Sequence, residues 1–221
     1  MTAWPVRVAI MARSTAALAV VAALTTLSAG AAPDDLFAGI YTRSMMKRAS
    51  MRSLQAHFTE TTTSTLLNKP LVAHGTVIGA PPARVRMTYT DPEVKTVVID
   101  GDTLTILWPD RRERQQIKIG EMQKRIDHYF TRASVKDLES MFQIMAAPDE
   151  TRRAVDRIEM RPRRKQIKQG LERLDLWIER ESAMLVQMRM FFPSGDEKTI
   201  ALDDISTDVP VSDATFRSRP E

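Results

Sequence analysis

No cysteine occurs anywhere in the chain, so no disulfide braces it and its stability rests on its packed core. Histidine is scarce: His57, His74 and His128 stand far apart, and none shows a metal-binding spacing such as H-E-x-x-H. No G-x-S-x-G elbow is present. Asp100, Asp102 and Asp110 cluster, but Asp-Gly-Asp between apolar runs is first a turn signal. These absences point away from an enzyme. They assign no catalytic residue, no metal ligand and no cofactor. The charge balance is also thin: the formal net charge is +4, and +2 once Arg7 and Arg13 are set aside. That excess is too small for a dedicated nucleic-acid binder. Internal repeats, low-complexity tracts and domain linkers are all missing.

What is present begins with a leader. Arg7 and Arg13 form a basic start, and Ser14 to Leu27 is an apolar run rich in Ala, Val and Leu. The run is short for the roughly 20 residues of a membrane span but suits a secretory signal. Ala29-Gly30-Ala31 supplies a small-residue cleavage site, so residues 1–31 are expected to be a signal peptide. No cysteine follows it to carry a lipid anchor. The mature chain, residues 32–221, is expected to be one soluble domain outside the cytoplasm, long enough for a real core.

Along that domain the periodicity changes twice. Leu36, Phe37, Ile40 and Tyr41 recur at helical spacing after Asp34-Asp35, which predicts a helix to about Ser50 with Met45 and Met46 on or beside its stripe. Period two takes over at Leu54 and runs through several short strands to Ile119. Val85, Met87 and Tyr89 share one face of such a strand, and Arg84, Arg86 and Thr88 the other. Residues 121–147 read as helical, with a second helix capped by Ser134 and supported by Asp137. Strands resume from Arg152 to Ile205, and the tail from Val209 to Phe216 looks irregular. The expected fold is α+β, mainly antiparallel. It is an unclosed, strongly curved β-barrel of about 9–11 strands, with an N-terminal helix and an inserted helical lid.

Four stretches, in order and spacing, carry a resemblance. They are Leu54-Gln55-Ala56-His57-Phe58; Gly75 to Pro109; Leu171 to Phe192; and Ile200 to Ile205 with Val211 to Phe216. Together they resemble the bacterial outer-membrane lipoprotein carrier (LolA-like) family, of which the chain looks like a divergent member. The resemblance implies a hydrophobic cavity between barrel and lid that holds acyl chains of a lipoprotein or related lipid. It also implies a monomeric periplasmic carrier that loads from an inner-membrane ABC-type release complex and delivers to an outer-membrane receptor. An alternative with the same fold is a periplasmic regulator that senses lipid or envelope stress. A hydrolase acting on lipid or glycan is a third reading, which co-purified lipid without turnover would count against.

On that resemblance the cavity is assigned to Phe58, Val85, Met87, Tyr89, Ile106, Trp108, Met122, Phe130, Leu138, Met141, Phe142, Met145, Met188 and Met190. Tyr129 is a further candidate on the lid. Thirteen methionines are an unusual load, and unbranched, polarisable side chains suit a pocket for flexible chains as well as they suit a core. Trp108 fits either the cavity rim or the core. Family members usually carry Arg-Pro at the start of the third strand, and that arginine ties lid to barrel. Here the pair is Pro81-Pro82, which leaves Arg84 and Arg86 as candidates for lid gating or for a head group. Basic runs at Arg111 to Arg114 and Arg161 to Lys165 fall on predicted turns, where they are either solvated or drawn to anionic lipid.

Overall fold

Alternating side chains build a single antiparallel sheet in the computed structural model, which describes residues 33–81, 84–120 and 133–217. Among those residues the strands are β1 (Leu54–Thr63), β2 (Leu71–Ala80), β3 (Arg84–Asp91), β4 (Lys95–Asp100), β5 (Thr103–Trp108), β6 (Glu113–Lys118), β7 (Phe142–Pro148), β8 (Val155–Pro162), β9 (Arg173–Glu179), β10 (Leu185–Phe191) and β11 (Glu197–Thr207). Their order is β6-β5-β4-β3-β2-β1-β11-β10-β9-β8-β7. Strands β6 and β7 are the two edges and do not pair with each other, so the barrel is unclosed. The first and last strands meet at the centre, where Phe58 faces Leu202 and Glu60 faces Ile200. Register shifts at Gln55/His57, His74/Gly75 and Leu185/Gln187 mark bulges. A bulge bends its strand and raises the local twist, which curves a sheet.

Helix α1 (Pro33–Ser50) follows the expected span, and its apolar stripe is short. Phe37 and Ile40 are buried in it, whereas Met46 lies off the stripe and is exposed. Polar ties fix the helix: Tyr41 donates to the Ala133 carbonyl at 2.6 Å and Ser44 Oγ to the Ala183 carbonyl at 3.0 Å. The buried carboxylate of Asp156 accepts from Arg180 Nε at 2.8 Å and has Arg43 of α1 at 3.8 Å. Helix α2 (Val135–Met141) begins as its sequence predicts, with a reciprocal capping box between Ser134 and Asp137. These helices and strands β7 to β10 close one core around Phe37, Ile40, Leu138, Met141, Phe142, Ile158, Met160 and Leu174.

The inserted helix ends earlier than its sequence suggests. Helical character is expected through Ala147, but Phe142–Pro148 is strand β7, paired with β8 from Phe142↔Pro162 to Pro148↔Asp156. The run carries both periods. Phe142, Ile144 and Ala146 form an inward row at period two, and the open edge of β8 selects that reading. The basic stretch after β8 likewise winds into a short helix, α3 (Lys165–Lys168).

Candidate functional site

Register assigns every strand residue to one of two faces. On the helix-bearing face, Met190 and Leu174 lie side by side, as do Met188 and Leu176. The row continues across the centre through Ile200 and Phe58 to Gly75 and Tyr89, then through Val77, Met87, Val97 and Ile106. This row is apolar from β9 across to β5. At its middle the Phe58 and Tyr89 rings meet edge to face at 4.9 Å, packed with Met87, Val97, Ile200 and Leu202. Gly75 makes that packing possible, because its missing side chain leaves the space into which the Phe58 ring leans.

The two halves of the inner face differ in how fully they are covered. Beneath α1 and α2, strands β7 to β9 bury their inward side chains. On β4 and β5 the order is reversed, and on β3 only Tyr89 is buried. Inward Val85, Met87, Val97, Ile99, Leu104 and Ile106 are only half-buried, while outward Thr96, Val98, Thr105 and Leu107 are buried. An open apolar cavity of about 550 Å³ lies at one end of this half. It is bounded by Met45 and Ala49 of α1 and Met51 just after it, by Leu54, Gly79 and Val85 on the strands and by Pro81 in the β2–β3 turn, with Arg48 and Arg84 also in its lining. The opposite end of the inner face is polar. Glu60 accepts from the Tyr89 hydroxyl at 3.0 Å and from Lys198 Nζ at 2.8 Å, and Lys95 Nζ sits 4.6 Å from the centre of the Tyr89 ring. Burial, and then the Glu60 charge and hydrogen bond, push the Tyr89 phenol well above the ordinary tyrosine range.

The residues assigned to the cavity by sequence fall into distinct groups. Phe58 and Tyr89 are buried in the inner face, with Val85, Met87, Ile106, Trp108, Met188 and Met190 half-buried on it. Leu138, Met141 and Phe142 lie in the core beneath the helices. Met145 stands apart: it faces outward from β7 and is 51% exposed, because a strand places it opposite Phe142 and Ile144. Met122, Tyr129 and Phe130 lie outside the described residues.

Arg84 and Arg86 lie on the outer face, with the C-terminal 3-10 turn (Asp213–Phe216) as their partner. Arg84 pairs with Asp213 and its guanidinium sits 4.9 Å from the centre of the Phe216 ring. Arg86 Nη1 donates to the Thr215 carbonyl at 3.2 Å. This turn is what buries Val98, and it borders an outer cavity of about 350 Å³ lined by Thr103, Thr105, Gln116 and Arg217. Sequence reasoning treats the tail as irregular and misses its role. The unbroken apolar run Val97-Val98-Ile99 is the available signal, since three consecutive apolar strand residues require cover on both faces. It also misses Glu60 and Lys198, which nothing in their local pattern marks. Among the described residues, no group of three or more His, Asp or Glu gathers to hold a metal, and no helix is long and apolar enough to cross a membrane.

An unclosed antiparallel barrel with helices on its inner face defines a fold class rather than one protein. Residues 49–219 match the family model described as outer membrane lipoprotein carrier protein LolA, and the chain belongs to that family. No curated protein matches it. Among solved structures it is similar to an uncharacterized conserved protein from Thermus thermophilus, at TM-score 0.53 and 11% identity over 83% of this chain and 93% of that one. It is also similar to MucB, at TM-score 0.51 and 14% identity over 83% of this chain and 63% of that one. A third is lipoprotein LppX of Mycobacterium tuberculosis, at TM-score 0.49 and 14% identity over 81% of this chain and 98% of that one. At these identities the likeness is one of fold.

Proposed function

We propose that the protein is a periplasmic, monomeric carrier that binds acyl chains of lipoproteins, or of a related lipid, along the inner face of β2 to β5. It would be exported by a cleaved signal peptide in residues 1–31, would load at an inner-membrane ABC-type release complex and deliver to an outer-membrane receptor. The observation that carries the reading is the incomplete cover of the inner face on β3 to β5, which on β4 and β5 is less buried than the outer face. Six apolar side chains turn inward and yet stay only partly buried, beside an apolar cavity. A structural core would close over such a surface, since each buried methylene contributes roughly 0.8 kcal/mol. That same figure makes a few acyl chains a tight-binding cargo. The adaptable side chains Met45, Met51 and Met87 fit chains of varied shape.

Mass spectrometry of the organic extract from natively purified protein tests the reading. A stoichiometric acylated species supports it and names the cargo class. A fluorescent fatty-acyl probe gives the residue-level check. Ile106→Glu would place an unpaired carboxylate on the acyl path and is expected to weaken uptake at least about tenfold. Lipid-free protein that also takes up no probe would overturn the carrier.

A further inference from the structure

Among the described residues, eight large apolar side chains are strongly exposed, and five of them stand at one end of the sheet. Leu66, Leu67, Leu71 and Val72 belong to the β1–β2 hairpin, and Val94 to the β3–β4 turn. Leu66 is the extreme case at 92% exposure. Register brings these turns together: Thr62 faces Leu71, Tyr89 faces Lys95, and Thr63 faces Glu197 at the start of β11. The hairpin has a single charge between Thr61 and Val72, and it is Lys69.

The β8–β9 connection lies at the same end, because Arg173 faces Phe191, which faces Glu197. It exposes Arg163, Arg164, Lys165 and Lys168, and carries no acidic residue between Arg161 and Gly170. One end of the barrel therefore combines a protruding apolar tip with a belt of exposed cations, interrupted by Glu172 and by Asp196 of the β10–β11 turn. A protein interface core is depleted in lysine, of which this end presents Lys69, Lys165 and Lys168. A bilayer interface rewards the combination, since apolar tips enter the acyl boundary while cations rest on anionic head groups.

We propose that this end of the barrel docks on an anionic lipid bilayer, with the Leu66-Leu67 tip inserted and Lys69, Arg164, Lys165 and Lys168 on the head groups. The inference rests on surface side chains and stands or falls separately from the carrier reading.

Co-sedimentation of the purified protein with sucrose-loaded vesicles tests it. Binding is expected to phosphatidylcholine vesicles containing phosphatidylglycerol, and to weaken on pure phosphatidylcholine and at high salt. The double variant Leu66→Ser, Leu67→Ser is expected to lose about tenfold or more in partitioning. Both substitutions are at exposed positions, so its melting temperature and its uptake of a fatty-acyl probe should match the parent. Lys165→Glu with Lys168→Glu should weaken binding to the anionic vesicles alone. Failure of the parent protein to bind the anionic vesicles overturns the proposal, and so does undiminished binding by the leucine variant. Capture of a protein partner by the hairpin of a parent protein that does not bind the anionic vesicles would reassign the surface. A parent protein that binds vesicles but takes up no acyl probe would overturn the carrier reading and leave membrane docking in place.

Discussion

Arg84 reaches over the ring of Phe216, with the guanidinium 4.9 Å from its centre and 129 positions apart in the chain from its other partner, Asp213. The contact clamps the C-terminal turn onto the outer face of β3 and β4. Phe216 is 2% exposed, so Phe216→Ala is expected to cost about 3–5 kcal/mol in urea unfolding. A double-mutant cycle with Arg84→Ala should return a coupling of about 0.5–2 kcal/mol. Additive effects would mean that the arginine does not hold the turn.

Gly75 has no substitute in β2. A methyl group there would run into the Thr88 carbonyl oxygen and lie 2.7 Å from Phe58 Cζ. Both neighbours are fixed, one by the β2–β3 ladder and the other by the core. Gly75→Ala is expected to destabilise by about 2–3 kcal/mol or more, against the usual gain of Gly→Ala in a strand. Gly170→Ala, which meets open space, is the control and should melt like the parent. Equal melting temperatures for the two variants would remove the close-approach argument.

Alkaline pH should loosen the inner face through Tyr89. Its folded-state pKa is raised, mainly by burial and then by Glu60. The fold therefore favours the neutral phenol. The stabilisation is fully present below the unfolded tyrosine pKa of about 10 and is lost as pH rises above it. Glu60→Gln should lower the Tyr89 ionisation towards the ordinary range without reaching it, because burial remains. Phenolate absorbance with Tyr89→Phe as reference reads this, and an unchanged titration would dismiss the Glu60 contribution.

Acid should act at the β7–β8 connection. Asp149 accepts from Thr151 Oγ1 at 2.8 Å, Trp177 Nε1 at 2.7 Å and the backbone N–H of Arg152 at 2.7 Å. These bonds, the Thr151 hydroxyl foremost, hold its pKa down to about 2. The contribution is present above the unfolded aspartate pKa of about 3.9 and is lost as pH falls through the folded value. Asp149→Asn should lower stability at neutral pH and flatten the acid limb between those two values. An acid limb identical to the parent's would show that other carboxylates control it.

Much of this architecture is legible in the sequence because it is local. Alternation at Arg84 to Thr90 sets the two faces of β3, the Ser134–Asp137 spacing sets the start of α2, and Asp100-Gly101 marks a hairpin, where Gly101 adopts φ 58°. The inner-face positions of Val85, Met87 and Ile106 follow from the same period. Residues 142–148 mislead because Phe142, Met145 and Ala146 also satisfy a helical spacing, and only the vacant edge of β8 decides between the two.

By itself the sequence determined which side chains share a face, where the turns fall and which family the chain resembles, since these depend on neighbours along the chain. Tertiary structure alone decided what covers each face. The tail that sequence leaves irregular becomes the lid of the outer face, and Arg84 and Arg86 serve it. Glu60, Tyr89 and Lys198 become one hydrogen-bonded group only when the first and last strands pair. Cover of this kind comes from segments more than a hundred residues away, and no local period encodes which distant surface a face will meet.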